Sequence, residues 1–88
     1  MNTFHFNEAA IAPNPASSAW TIKLAEQINP VQIELMDLQG RVVYTQDLPA
    51  FEPIQHTISN TNFMTGQYFL RIQSGEKSCL YKLVKSEK

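Results

Sequence analysis

Short runs in which apolar and polar residues alternate strictly are the feature that most restricts how this 88-residue chain can fold. Trp20-Thr21-Ile22-Lys23-Leu24 places Trp20, Ile22 and Leu24 on one face, and Val31-Gln32-Ile33-Glu34-Leu35 does the same. Successive strand side chains point to opposite faces, whereas a helix face repeats every 3.6 residues, so these runs read as half-buried β-strands. Val42-Val43-Tyr44-Thr45 is β-branched and aromatic enough for a return strand. Ile54, His56 and Ile58 share a face in the next run; Tyr68, Leu70 and Ile72 follow, then Cys79, Tyr81 and Leu83. Six strands are expected on this basis, with a seventh around Phe4–Ile11, and no helix longer than a turn.

The punctuation agrees. In Asp37-Leu38-Gln39-Gly40-Arg41 the aspartate can accept a backbone N–H and Gly40 can take a positive φ. Those are the demands of a three-residue hairpin loop with a bulge, so 31–37 and 41–47 should pair, with Asp37, Gly40 and Arg41 as the turn residues. Ser74-Gly75-Glu76-Lys77 is a second tight connection. Pro49 and Pro53 interrupt pairing between Leu48 and Ile54, which fits a crossover to an opposite sheet. Short strands with turns every 8–12 residues or so predict an all-β, immunoglobulin-like antiparallel β-sandwich of about seven strands, with a small open barrel as the alternative. Residues 1–10 read as a linker, the end of an upstream domain or a first strand, and 11–88 as one domain.

Size and composition narrow the function. A chain this short buries about 60–65% of its unfolded surface, which leaves little room for a large catalytic cavity. A net charge of −1 offers no basic excess for nucleic acid, and no stretch approaches the ~20 apolar residues of a membrane-spanning helix. Met1–Glu8 has neither the basic start nor the apolar run of a secretory signal. The charge is unevenly placed. Residues 1–70 hold two basic against six acidic side chains, net −4, and residues 71–88 hold five against two, net +3. A basic final strand serves either to guard an exposed edge or to be recognised by a partner.

Chemistry-bearing constellations are not evident. His5, His56 and Cys79 are far apart with no pair at metal-ligand spacing, so no metal or cofactor is expected. His56, flanked by Ile54 and Ile58, reads as a partly buried packing residue, and Cys79, at an apolar alternation position, as a buried inert thiol. Glu34 and Asp37 lie an odd number of residues apart and should face opposite ways on a regular strand. Gly40, Gly66 and Gly75 are each explained by a turn rather than a phosphate loop. Trp20, Tyr44, Tyr68, Phe69 and Tyr81 fall mostly at core parity rather than on a solvent-facing platform. Catalysis is not expected; recognition is.

Two segments stand out. Ala12-Pro13-Asn14-Pro15-Ala16 is stiff and extended, because each proline removes a donor and biases the residue before it away from the helical region. Phe63-Met64-Thr65-Gly66-Gln67-Tyr68 places a tyrosine two residues after a glycine at a strand start, an arrangement similar to the tyrosine corner of immunoglobulin-like sandwiches, where the hydroxyl pins the preceding connection.

In this order, these residues resemble the type A C-terminal sorting domain of the type IX secretion system, found on cargo exported across the outer membrane of certain Gram-negative bacteria. The resemblance runs from about Ile11 to Lys85. Pro13-Asn14-Pro15 is similar to the family's opening motif, Ile33–Val43 to its central hairpin, Gly66-Gln67-Tyr68-Phe69-Leu70 to its Gly-x-Tyr strand and Lys82-Leu83-Val84 to its terminal motif. Ala12 departs from the family, in which an aromatic often precedes Pro-Asn-Pro.

The resemblance implies a folded, removable address at the end of a larger exported protein whose own signal peptide takes it into the periplasm. An outer-membrane translocon would recognise it, and a surface sortase of the cysteine-protease type would cut upstream of Pro13, within Met1–Ala12. The cargo would then stay on the cell surface or be released. Pro13, Asn14, Pro15, Gly66, Tyr68, Lys82, Leu83, Val84 and Lys85 are the expected recognition residues. Lys82 and Lys85 would steer acidic partner surface toward an unpaired terminal edge open to strand addition. The same edge could pair with a second copy. An immunoglobulin-like adhesion or carbohydrate-binding module is the competing expectation, and burial of Trp20 and Tyr68 would count against it.

Overall fold

A computed structural model describes residues 9–86. The strands are β1 (Ala10–Ala12), β2 (Ala19–Leu24), β3 (Val31–Met36), β4 (Val42–Leu48), β5 (Ile54–Ser59), β6 (Gly66–Ser74) and β7 (Lys77–Lys85). They form two antiparallel sheets, one of order β1-β2-β5 and one of order β4-β3-β6-β7. This is the immunoglobulin-like sandwich, and the open barrel is set aside because β4 and β5, at one side of the molecule, belong to separate sheets and do not pair. Among the described residues there is no helix. Of the stretch Phe4–Ile11 expected as the first strand, residues 4–8 lie outside the described residues; the strand observed begins at Ala10.

Alternation becomes burial directly. Trp20, Ile22 and Leu24 of β2, Val31, Ile33 and Leu35 of β3, Ile54 and Ile58 of β5, Tyr68, Leu70 and Ile72 of β6 and Leu83 of β7 line the space between the sheets. Burying each large aliphatic side chain stabilises by about 1.5–3 kcal/mol, which makes this one layer the main source of cohesion. Trp20 is fully buried and packs against Tyr68 and Phe63, with ring centroids 5.9 and 6.4 Å away. On the opposite side the half-buried His56 bonds Tyr44 Oη through Nε2 at 2.6 Å, tying β5 to β4 across the sheets.

Both hairpins form where their turn residues stand. The Asp37 carboxylate accepts the backbone N–H groups of Gln39 and Arg41 at 2.9 and 3.0 Å and the Arg41 Nε at 2.9 Å, Gly40 takes φ 84°, and the register shifts at Leu35/Met36. Gly75 takes φ 59° with its α-carbon against Asn29, whose Nδ2 would lie 2.5 Å from any added Cβ. The proline-bounded link after Leu48 carries the chain to the other sheet; there Phe51 adopts φ 68° and its N–H bonds Gln27 C=O at 2.8 Å. Cys79 departs from expectation: it is only half-buried, because β7 is an edge strand and has no neighbour on its outer side to complete the cover.

Candidate recognition site

The expected recognition residues come from both ends of the sequence, and the fold brings them together. β1 lies in the three-stranded sheet, but the Pro13–Ala16 segment crosses to the edge of the other sheet before β2 returns. Proline cannot donate to a ladder, so this stretch offers few backbone groups of its own. Asn14 supplies side-chain groups instead. Its Oδ1 accepts the Val84 N–H at 2.9 Å and its Nδ2 donates to the Lys82 C=O at 3.1 Å. One primary amide thus imitates a peptide unit of a neighbouring strand. Ala16 continues the pairing in parallel, donating to Val84 C=O at 3.0 Å and accepting from Ser86 N–H at 2.9 Å.

The terminal motif is half inside the molecule. Leu83 is buried opposite Tyr68, Val84 is half-buried, and Lys82 faces solvent opposite Phe69. Lys85 is only 8% exposed, and its ammonium donates to Ser17 C=O at 2.6 Å and Asn60 Oδ1 at 3.3 Å. Its expected role as a solvent-facing steering charge is therefore corrected: alternation along β7 sends residue 85 inward with 83, and the long stem carries the charge to the buried Asn60 and the half-buried Ser17. The expected open terminal edge is corrected as well, since Asn14 and Ala16 occupy it from Lys82 C=O to Ser86 N–H.

Gly66 and Tyr68 complete the cluster. Gly66 pairs with Lys85 and has φ 149°, and Tyr68 pairs with Leu83. The Tyr68 hydroxyl donates to Met64 C=O at 2.6 Å, the tyrosine corner expected from the spacing. The Asp37 turn lies beyond them: Asp37, Arg41, Met64, Gly66 and Tyr68 share the wall of an open groove of about 380 Å³. Burial pushes the Asp37 carboxyl up, but the Arg41 and Gln39 backbone N–H groups and the Arg41 guanidinium together outweigh it and hold the group below its ordinary value. Burial, with the Cys79 thiol beside it, pushes the Tyr81 hydroxyl well above its ordinary value.

Asn60 and Ser17, which anchor the Lys85 ammonium, were not legible in the sequence; a polar Ser-Asn-Thr-Asn run reads as an ordinary loop. Asn14 was expected only through the resemblance of Pro13-Asn14-Pro15, and nothing local in the sequence points its amide toward β7. Among the described residues no group of three or more His, Cys, Asp or Glu side chains converges, and no helix is long and apolar enough to cross a membrane.

The model of the secretion system C-terminal sorting domain family matches residues 10–86, a span that opens on β1 and closes one residue after β7. No curated protein sequence matches the chain. That family is one of sorting signals rather than catalysts, carried by proteins exported to the cell surface or the extracellular space. The chain belongs to the secretion system C-terminal sorting domain family and carries a type IX secretion signal.

Proposed function

We propose that the outer-membrane translocon recognises the seam between Pro13-Asn14-Pro15 and the outward-facing Lys82 and Val84 as one composite surface, with Gly66, Tyr68, Leu83 and Lys85 beneath it holding its shape. The observation that carries this reading is the pair of hydrogen bonds from the Asn14 amide to Lys82 and Val84, which joins the opening and closing motifs across 68 and 70 residues. A sorting signal assembled this way exists only once the domain has folded, so the seam reports folding and address together. The cargo precedes the domain in the same chain and passes through the periplasm before export. A cysteine-protease-like surface sortase then cuts within Met1–Ala12, just ahead of the seam.

Burial of Trp20 and Tyr68 weighs against the carbohydrate-binding alternative, because neither ring face is open to a sugar. The test is a periplasm-directed reporter fused to this domain in a host with a type IX system. The intact fusion should reach the medium or cell surface, and one lacking Lys82–Lys88 should stay in the periplasm. Normal export of the truncated fusion would remove the terminal strand from the recognised surface.

A further inference from the structure

Only half of the β7 edge is covered. The β6–β7 ladder is regular from Gly66–Lys85 to Ser74–Lys77, so backbone groups along β7 alternate between β6 and the outer side. The bonds at Val84 and Ser86 show that the even-numbered residues face outward. By that alternation the N–H and C=O of Ser78, those of Leu80 and the N–H of Lys82 also face outward. No described residue pairs with them. The side chains there follow the same parity: Leu80 is 58% exposed, and Lys82 has no carboxylate partner among the described residues, whereas Arg71 across the ladder from Leu80 holds Glu34 at 2.6 Å.

An unpaired edge with a large apolar side chain is what folded proteins normally blunt or cover. Resting on the reading that β7 belongs to the recognised surface, we infer that Ser78–Lys82 is a strand-addition site. Its occupant is an extended partner segment bearing an apolar side chain beside Leu80 and an Asp or Glu beside Lys82. Main-chain bonds supply the affinity in such docking, and alternate side chains supply the choice of partner. An apolar and an acidic residue two apart on one strand face is the complementary pattern. A second copy fits less well. Antiparallel pairing of β7 with itself about Leu80 sets Lys82 against Ser78, leaving both ammonium groups uncompensated.

Leu80→Pro tests the backbone, because the N–H it removes points away from β6 and leaves the internal ladder intact. Lys82→Glu tests the charge, and Lys23→Glu on the other sheet serves as the control. In the reporter host, export should fall at least tenfold for Leu80→Pro and severalfold for Lys82→Glu, with Lys23→Glu unchanged. Melting curves of the isolated variants establish that they are folded; should Leu80→Pro not fold, Lys82→Glu decides. Wild-type export of folded Leu80→Pro and of Lys82→Glu, with the Lys82–Lys88 truncation still retained, would overturn the docking edge while leaving the sorting surface standing. Normal export of the truncation would instead overturn the reading beneath it. Sedimentation of the isolated domain showing a dimer abolished by Leu80→Pro would assign the edge to a second copy and equally overturn the inference.

Discussion

Replacing Asn14 by Ala removes one acceptor at 2.9 Å from Val84 N–H and one donor at 3.1 Å from Lys82 C=O, without touching the core. An intramolecular hydrogen bond contributes a net 0.5–1.5 kcal/mol or so. Both bonds lie at an exposed seam where water can replace the lost partner, so the lower part of that range applies and the pair is worth about 1–2 kcal/mol. Pro13 and Pro15 have no N–H with which to compensate. For a domain of this size 1 kcal/mol corresponds to roughly 4–8 °C in melting temperature, so Asn14→Ala should melt about 4–16 °C lower. The urea midpoint should fall with an unchanged m-value, because the surface exposed on unfolding is the same. Amide hydrogen exchange supplies the local readout: Val84 should lose protection far beyond the global destabilisation, while Leu83 and Leu70 should change only with it. A melting temperature within about 1 °C of wild type, together with an unaltered Val84 amide, would refute the view that the Asn14 side chain holds the terminal strand.

Three further outcomes follow from the same geometry. Tyr68→Phe should lower stability by about 1 kcal/mol in urea unfolding, since it deletes the bond to Met64 C=O and leaves the ring packing against Trp20 in place. Lys85→Met should cost about 1–3 kcal/mol by stranding Ser17 C=O and Asn60 Oδ1 in a buried site, and export should fall only as the folded fraction falls. The Asp37 carboxyl titrates lower folded than unfolded, so its stabilisation is complete above the ordinary value near pH 4 and is lost as pH falls through the lower folded value. Urea midpoints from pH 6 to pH 2 should therefore show a smaller acid loss in Asp37→Asn than in wild type.

Much of the fold was legible because its main signals are local. Period-two alternation identified the buried face of β2, β3 and β6 residue by residue, Asp37 and Gly40 specified their own turn, and a tyrosine two residues after Gly66 specified the corner bond. Lys85 was misread because a lysine near the end of a basic strand reads as solvent-facing despite sharing parity with Leu83, whereas its burial depends on Ser17 and Asn60, which only the closed sandwich brings beside it. The edge of β7 was misread for a related reason. A chain terminus in a final strand suggests unpaired backbone, and its cover comes from a segment 68–70 residues away.

The sequence by itself determined that this chain is all-β with a basic final strand, leaving sandwich or open barrel to the pairing of β4 and β5, and its four ordered motifs resemble a sorting domain. These are properties of spacing and residue type, and alternation and turn chemistry act over two to five residues. Only the tertiary structure decided that the opening and closing motifs form one seam, that Lys85 is a buried anchor and Lys82 the solvent-facing charge, and that the open edge is Ser78–Lys82 rather than the strand's end. Those outcomes depend on how the sheets stack and where a crossing segment lands, and both are set by long-range packing.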